Sequence, residues 1–366
     1  MNKILIVSVE FPPQPGGIGN HAWNVADQLT KNGFEIIVLT NSRSEEGKIE
    51  NDFDVLQDFK VVRVQRTHYS LFTYWNRWKV YYKLIKTEKF AVILASGKFS
   101  LWLVGLYPFS KKIKKIAVLH GSEVNLKAWW EKILINKSLR NMNAIIAVSN
   151  FTKQFIDTLN LSSVTVIPNG FNPKAFEISL SKKINSRSPV LITVGTLSQR
   201  KGQHNVLKAL PELRNKFPNI QYHMVGIPSE KEKLESLAND LDITDLVTFH
   251  GALIQKKMVA LLASCDIFVM LSESTVKGDV EGFGIALIEA NYLGIPTIGS
   301  TNCGIEDAID NHKSGVLVPH DDSNAFEKAI DKIMNDRDVY SMNAKKWAER
   351  HVWELVIKEY IKIIKN

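Results

Sequence analysis

Residues 190–225 read VLITVGTLSQRKGQHNVLKALPELRNKFPNIQYHMV, and this stretch decides the fold class of the second half of the chain. Val190–Val194 is a short apolar run that predicts a buried strand, and a second strand-like run follows at Gln221–Val225. Residues 203–217 between them have helical apolar spacing, after the polar loop GTLSQRKGQ. A strand, a helix and another strand in this order predict a parallel sheet covered by helices.

The same alternation extends over the rest of the chain. Predicted strands of the first half are Lys3–Val9, Glu35–Thr40, Val61–Val64, Ala91–Ala95, Lys115–Leu119 and Ala144–Ala147, with a helix over about 18–32. Further strands of the second half are predicted at 246–249, 266–270 and 295–298, with helices at 230–240, 255–263, 284–293 and from about 323. The pattern predicts an α/β protein of two doubly wound, Rossmann-like domains facing a central cleft, with ligands at the carboxyl ends of the strands.

The length of 366 residues suits two domains better than one core. The polar stretch SLSKKINSRSP (179–189) predicts a linker, which gives an N-terminal domain over 1–178 and a C-terminal domain over 179–348. The last segment, 349–366, predicts an amphipathic helix that must bury its apolar stripe. That stripe consists of Val352, Leu355, Val356, Tyr360, Ile363 and Ile364.

The net charge of +8 is concentrated in one region, since residues 60–140 hold 17 Lys and Arg against 3 Asp and Glu. This region also contains HYSLFTYWNRWKVYY (68–82) and PFSKKIKKIAV (108–118). Basic residues mixed with Trp and Tyr predict a surface that faces anionic lipid or another polyanion, with Lys111, Lys112, Lys114 and Lys115 as contributors. A solvated Lys-rich face over packed aromatic residues is the alternative, and no nucleic-acid-binding module is recognisable.

The start of the chain and its two cysteines indicate the compartment. The apolar run after Met1 is short and ends at Glu10, which does not fit a signal peptide, and no apolar run approaches the roughly 20 residues that span a bilayer. Cys265 and Cys303 lack metal-ligand spacing, so free thiols in a reducing compartment are expected. We therefore expect a cytoplasmic protein that can lie peripherally on the inner face of the cell membrane.

Residues 273–294, ESTVKGDVEGFGIALIEANYLG, carry the strongest functional signal. Glu281 and Glu289 lie eight residues apart, but this spacing alone means little because Glu123 and Glu131 share it. Their context is informative, since Glu281 stands in a Gly-rich loop that leads into a predicted helix whose free N–H groups can hold anionic or hydroxyl ligand atoms. Glu289 lies in the second turn, where a carboxylate can accept hydrogen bonds from the paired hydroxyls of a ribose. A capping or solvated glutamate is the alternative for each.

Two adjacent cations, Arg200 and Lys201, follow the strand Val190–Val194. Arg200 offers a planar fork of donors and Lys201 a point charge, and both suit a diphosphate. Fixed cations stabilise the charge that builds on a departing nucleoside diphosphate more in the transition state than in the ground state. An Arg-Lys pair taken alone is more often an ordinary surface feature.

Gly17 and His120 follow predicted strands of the first half. GIGNHA (17–22) matches the loose dinucleotide fingerprint, but the preceding loop is long and Pro-rich and the second strand ends without the Asp or Glu that holds a ribose. A loop that approaches a ligand from the opposite domain fits Gly17 better. His120 opens HGSE after the strand KIAVL and would face the cleft, with a satisfied structural histidine as the alternative.

Together these segments resemble glycosyltransferase family 4, retaining enzymes of the two-domain GT-B fold, over nearly the whole chain. The segments that carry the resemblance are FPPQPGGIGNHAWNVADQL, LHGSE, IIAVSNFTKQFI, VIPNGFN, VGTLSQRKGQ, VTFHGALIQKKMVALLASCDIFVMLSES and DVEGFGIALIEANYLGIPTIGS. The loop before Glu281 is similar to that of phosphatidylinositol mannoside mannosyltransferases and of related polysaccharide and lipopolysaccharide enzymes.

The resemblance implies a role for each matched residue of the second domain. Arg200 and Lys201 would hold the diphosphate, and Glu289 the ribose of the nucleotide. Glu281 would hold the donor sugar. The remaining donor-binding positions are the backbone of Phe283, Gly284 and Ile285 at the sugar, Leu253 at the base, and Gly226.

The resemblance also implies roles in the first domain. His120 would contact the sugar near its 6-hydroxyl, and Gly17 would let its loop approach the phosphate and the acceptor. The C-terminal helix, with Trp353, would pack back on the N-terminal domain. One departure concerns Cys303-Gly304-Ile305-Glu306-Asp307, where the family often has two glycines and then a glutamate, and this leaves the role of Glu306 or Asp307 open.

The implied activity is transfer of a mannose- or glucose-type hexose from a GDP- or UDP-sugar to a lipid-linked or saccharide acceptor in cell-envelope glycan synthesis. Attack on the face from which the diphosphate leaves is expected, without a metal or other cofactor, because Arg200, Lys201 and a helix N-terminus replace the metal. A nucleotide-sugar epimerase on the same fold, a nicotinamide-dependent oxidoreductase and an inactive sugar-binding protein are the alternatives.

Overall fold

The structure is a computed structural model that describes residues 2–44, 47–67, 69–107, 112–177, 189–276 and 278–366. Its contacts divide the chain into two compact units, Met1–Asn169 with Trp353–Asn366, and Gly170–Val352. The predicted linker, up to residue 188, and the predicted boundary at 178/179 lie outside the described residues.

The first unit contains a sheet of seven parallel strands. They are β1 (Lys3–Ser8), β2 (Glu35–Asn41), β3 (Lys60–Val64), β4 (Val92–Ser96), β5 (Lys114–Leu119), β6 (Ala144–Ala147) and β7 (Val164–Val166). Their order is β3-β2-β1-β4-β5-β6-β7, so the direction of winding reverses between β1 and β4. Such a switch point is where doubly wound sheets bind ligands.

Helices connect these strands because each parallel pair needs a crossover. They are α1 (Gly17–Lys31), α2 (Lys48–Asp54), α3 (Ser70–Thr87), α4 (Lys98–Leu106), α5 (Trp129–Arg140) and α6 (Asn150–Gln154). Helix α1 begins at Gly17 and ends before Gly33, whose φ of 82° suits the left-handed position that closes many helices. The Ser149 side chain caps α6 by accepting a hydrogen bond from the N–H of Thr152.

The second unit contains a six-stranded parallel sheet in the order β10-β9-β8-β11-β12-β13. Its strands are β8 (Val190–Val194), β9 (Gln221–Val225), β10 (Val247–Gly251), β11 (Ile267–Met270), β12 (Thr297–Ser300) and β13 (Gly315–Val318). Its helices are α7 (Gln203–Lys216), α8 (Lys231–Asp240), α9 (Gln255–Ser264), α10 (Ile285–Tyr292), α11 (Ser323–Asn335) and α12 (Arg337–Ala348). The switch point lies between β8 and β11, which places the loops after these two strands at the ligand-binding edge.

The predicted fold class of two Rossmann-like sheets is confirmed, and each predicted strand forms within two residues of its predicted bounds. Strands β7 and β13 were not predicted. Cys265 and Cys303 are buried and form no disulfide with each other. Among the described residues, no helix has both the length and the apolar character that crossing a bilayer requires.

The last helix, α13 (Trp353–Lys365), belongs to the first unit. It buries Trp353, Val356, Ile357, Tyr360 and Ile364. Burial of each large apolar side chain contributes about 1.5–3 kcal/mol, so this face is a substantial part of the unit's core. The predicted stripe was wrong at Leu355, which is 45% exposed. The buried face of α13 includes Ile357 instead.

Candidate active site

The switch point of the second unit is formed by the loops after β8 and β11, which contact each other closely. Gly202, in the loop after β8, has a φ of 74°, and an added Cβ there would lie 1.7 Å from the carbonyl oxygen of Leu271 after β11. The Asn205 side chain donates to the same carbonyl at 3.0 Å. The Ser272 hydroxyl donates to the Arg200 carbonyl. Only glycine fits this backbone approach, which fixes the position of the turn that carries Arg200.

Arg200, Lys201 and Glu281 form one ion cluster at this point. Lys201 Nζ lies 2.8 Å from Glu281 Oε2, and Arg200 Nη1 contacts the same oxygen. Burial alone would raise the pKa of the Glu281 carboxyl, but the charges of Lys201 and Arg200 outweigh burial and hold that pKa below its usual value. The structure therefore brings together three of the predicted site residues as an ionised group.

The N-terminus of α10 lies beside this cluster. Gly284 precedes the helix with a φ of 80°, Ile285 is its first residue, and Phe283 is buried against the His351 ring at 6.0 Å between centroids. The N–H of Gly284 is hydrogen-bonded to the Glu281 carboxylate, which stabilises the charged form. A helix N-terminus next to two cations is an anion-binding arrangement.

The Cys303–Asp307 segment, which departs from the family pattern, supports the loop of Glu281. The N–H of Gly304 donates to the Glu281 carbonyl at 2.9 Å. An added Cβ at Gly304 would lie 2.2 Å from the carbonyl oxygen of Gly282. Glu306 Oε1 accepts a hydrogen bond from the N–H of Asn302 at 2.6 Å, so this carboxylate stabilises its own turn.

Glu289 lies one turn into α10 and is half-buried. Burial raises the pKa of its carboxyl to about 7, and the nearby charge of Lys201 opposes this rise. Glu289 therefore belongs electrostatically to the same site as Lys201, and its charge changes near neutral pH.

Gly226 and Leu253 lie at the carboxyl ends of the next two strands. The N–H of Gly226, after β9, donates to the Gly251 carbonyl at 2.9 Å. An added Cβ at Gly226 would lie 1.9 Å from the carbonyl oxygen of Gly195, so this glycine is required by the close approach of two strand ends. Leu253 follows β10 and is partly exposed.

Two carboxylates that the sequence did not single out hold the turn before Arg200. Glu230 Oε2 accepts from the N–H of Gln199 at 2.6 Å. Glu273 Oε1 accepts from the Gln199 side-chain amide at 2.7 Å, and its two oxygens lie 3.4 Å from His204 and His320. The sequence did not predict that Glu230 supports this turn, because Glu230 directly precedes a different helix, α8.

In the first unit, His120 follows β5, and a 2.9 Å hydrogen bond joins its Nε2 and the hydroxyl of Ser96 at the end of β4. Its ring contacts that of His21 at 4.8 Å between centroids, and His21 Nε2 lies 2.9 Å from the Tyr360 hydroxyl. Burial lowers the pKa of His120 to about 4, so its imidazole is neutral at neutral pH. Sequence reasoning missed His21 and Ser96 and named Tyr360 only as part of the apolar stripe of the last helix; together these residues fix the ring of His120.

Glu123 and Gly17 complete this edge of the first sheet. The N–H of His120 donates to Glu123 Oε1 at 2.5 Å, and burial raises the pKa of the Glu123 carboxyl to about 7 although backbone N–H groups oppose the rise. Gly17 begins α1, and an added Cβ there would meet no atom within 4 Å. The protein itself therefore leaves open space beside Gly17.

The described residues include no group of three or more His, Cys, Asp or Glu side chains placed to hold a metal ion. The charged groups of the second unit's site are Arg200 and Lys201, with Glu281 paired to both. The carboxylate of Glu289 lies one turn into α10. This arrangement can bind an anion and the hydroxyl groups next to it.

Two family models cover most of the chain. The model for Glycosyltransferase Family 4 matches residues 15–175, and that for Glycosyl transferases group 1 matches residues 175–350. The chain belongs to glycosyltransferase family 4. This transferase resembles a mannosyltransferase of Mycolicibacterium smegmatis, described as GDP-mannose-dependent alpha-(1-6)-phosphatidylinositol monomannoside mannosyltransferase, with 25% identity over 91% of this chain and 89% of the relative.

Solved structures support the GT-B fold of the transferase. Sucrose-phosphate synthase of Thermosynechococcus elongatus superposes with a TM-score of 0.82 at 19% identity, over 100% of this chain and 98% of that one. HepE of Anabaena, in complex with UDP and glucose, gives a TM-score of 0.78 at 17% identity over 100% of both chains. The family models and the mannosyltransferase relative confirm the predicted hexosyltransferase class, and the epimerase alternative has no support among these relatives.

Proposed function

We propose that the transferase moves a hexose from a nucleoside diphosphate sugar to a lipid-linked or saccharide acceptor of the cell envelope, with retention of anomeric configuration. The observation that carries this proposal is the cluster of Arg200, Lys201 and Glu281 at the N-terminus of α10. Two cations and a helix N-terminus suit a diphosphate, and a carboxylate within reach of them suits the hydroxyls of the sugar.

Catalysis in this proposal comes from stabilising the leaving group. As the bond from the anomeric carbon to the diphosphate breaks, negative charge grows on the phosphate oxygen and is stabilised by Arg200 and Lys201. The acceptor hydroxyl attacks from the same face and passes its proton to that oxygen. These fixed positive charges replace a divalent metal, so the reaction is proposed to need no metal or other cofactor.

The donor is proposed to be a GDP- or UDP-sugar. The mycobacterial relative is named for GDP-mannose, and the Anabaena structure holds UDP and glucose, so these two donors are the first to test. The test is release of GDP or UDP from each donor in buffer with EDTA, with and without a membrane lipid extract as acceptor. We expect acceptor-dependent release from one of the two donors. Release that requires an added divalent cation would contradict the metal-free mechanism.

Glu289 is proposed to hold the ribose of the donor, and its ionisation gives a pH test. Burial raises the pKa of this carboxyl to about 7, so the acceptor form that a ribose diol needs becomes dominant only above neutrality. Because nucleotide binding favours the charged form, the dissociation constant for the matching nucleoside diphosphate should fall up to about tenfold from about pH 6 to about pH 8. Titration calorimetry measures this change.

The control for the pH test is Glu289→Gln, which keeps the shape of the side chain and removes its ionisation. We expect weaker binding that varies much less with pH. If the Glu289→Gln variant retains the full pH dependence of the natural enzyme, another group causes it, and the assignment of Glu289 to the ribose is refuted.

The first unit is proposed to rest on an anionic membrane surface. Eight large apolar side chains that are at least 40% exposed lie at or near the starts of α3, α4 and α5, and we term them the aromatic patch. They are Tyr69, Leu71, Phe72, Trp75, Phe99, Trp129, Trp130 and Ile133. Ring contacts of Phe99 and Trp130 with Trp102 join α4 to α5, and Lys79 and Lys98 lie over rings of this region. Apolar side chains beside lysines suit the interface of an anionic bilayer.

Of the four lysines predicted for this surface, Lys112 is exposed, whereas Lys114 and Lys115 bond to backbone carbonyls. Lys115 is buried and donates to the Tyr107 carbonyl at 3.5 Å, because it lies on β5, so the prediction for Lys115 was wrong. Lys114 Nζ donates to the Ile363 carbonyl of α13. Lys111 lies outside the described residues.

Serine substitution of Leu71, Phe72 and Trp75 tests the membrane proposal. Each side chain would transfer apolar surface into lipid, so we expect at least about tenfold weaker binding to phosphatidylserine vesicles in a sedimentation assay. Val339→Ser with Met342→Ser is the matched control, since these residues of α12 are 54% and 50% exposed and lie in the other unit. Equal losses in both variants, or none in either, would contradict the aromatic patch as the contact surface.

A further inference from the structure

The cations that would hold the donor diphosphate are occupied by one of the enzyme's own carboxylates. Both Lys201 Nζ and Arg200 Nη1 contact Oε2 of Glu281, and the Gly284 N–H at the entry to α10 is hydrogen-bonded to the same carboxylate. A diphosphate bound at this point would need the same two cations and the same N–H donor. Glu281 therefore sits where the anion of a substrate would sit.

Glu281 is well placed to remain there without a ligand. It is 9% exposed, so its charge depends on Lys201 and Arg200 for compensation. An unpaired buried carboxylate is costly, and separating it from both cations needs another partner. The hydroxyl groups of a donor sugar can serve as that partner, whereas a free nucleoside diphosphate has no hydroxyl-bearing group beyond its β-phosphate.

We propose that Glu281 competes with the diphosphate for Arg200 and Lys201, and thereby makes the enzyme select the intact donor over the free nucleoside diphosphate. This inference rests on the proposed donor site. When the donor binds, its phosphates take the cations and its sugar hydroxyls take the carboxylate. After transfer the sugar is gone, Glu281 returns to the cations, and the product nucleotide is released more easily.

The Glu281→Gln variant distinguishes competition for Arg200 and Lys201 from a role of Glu281 that is limited to binding the sugar. The amide keeps the shape and can still accept from the Gly284 N–H, but it cannot form the ion pairs. We expect the variant to bind the matching nucleoside diphosphate, UDP or GDP, at least about tenfold more tightly than the natural enzyme, and its preference for the sugar-bearing donor to shrink. Titration calorimetry of each nucleotide with and without its sugar measures both quantities.

Asp279→Asn is the charge-matched control, because Asp279 lies in the same loop and is exposed. It should leave both affinities nearly unchanged. Unchanged affinity of the Glu281→Gln variant for the free nucleoside diphosphate would overturn the proposal, as would an equal gain in the Asp279→Asn variant. Glu281→Ala gives the same comparison if the Glu281→Gln variant does not fold. If the natural enzyme binds neither UDP nor GDP, the proposed donor site itself fails, and the two failures are thereby distinguished.

Discussion

Replacing Arg200 by Ala is expected to lower the turnover number about 100- to 1,000-fold while the fold survives. Fixed donors aimed at a developing charge commonly contribute this much, and Arg200 is one of the two cations beside the proposed leaving group. The side chain is 30% exposed, and Lys201 still compensates Glu281 in its absence, so no unpaired buried charge results. Initial rates of nucleotide release with the preferred donor measure the effect.

Arg214→Ala is the matched control for Arg200→Ala. Arg214 lies in the same unit, is 37% exposed and pairs with Asp245 at the surface, away from the switch-point loops. We expect it to change the rate less than about twofold, because exposed ion pairs contribute little. A near-normal rate in the Arg200→Ala variant would refute the role of Arg200 at the diphosphate.

Gly202→Ala is expected to cost about 3 kcal/mol or more of the free energy of unfolding. Its φ of 74° strains any other residue, and the added Cβ would lie 1.7 Å from the Leu271 carbonyl oxygen, which is backbone and cannot turn away. The loops after β8 and β11 would have to separate, so donor binding should weaken as well. Urea unfolding followed by fluorescence measures the stability.

Gly251→Ala isolates the contribution of the backbone angle. Gly251 has a φ of 65°, but an added Cβ there would meet no atom within 4 Å. Only the strain of the left-handed conformation remains, which costs about 1–2 kcal/mol. Equal destabilisation by the two substitutions would show that the approach of Gly202 to Leu271 is not the reason for this glycine.

The parts of the fold that the sequence predicted are those with strong local signals. The continuous apolar runs of the central strands have a length and composition that favour buried parallel strands. Strand β7 was missed because it has three residues, none of them fully buried, at the edge of its sheet. Strand β13 follows a turn and begins at Gly315, a residue that weakens strand signals.

Site residues that local sequence identifies could be predicted, whereas the tertiary contacts between them could not. Arg200 and Lys201 were named because they follow β8 at a strand end, and Glu281 because it stands in a Gly-rich loop that leads into α10. Their mutual ion pairing joins residues 81 positions apart, and the bond from His21 to Tyr360 spans 339 positions. No periodicity or spacing encodes such pairs, and the same holds for the support that Glu230 gives to Gln199.

Titration of the enzyme with UDP, GDP, UDP-glucose and GDP-mannose in buffer that contains EDTA tests the central claim most directly. The claim is that the site around Arg200, Lys201, Glu281 and Glu289 binds a nucleoside diphosphate sugar without a metal. We predict that nucleotides of one base bind without a divalent cation, that the sugar-bearing form binds more tightly, and that Arg200→Ala weakens both. Absence of binding by all four ligands, or binding that the Arg200→Ala variant retains in full, would contradict it.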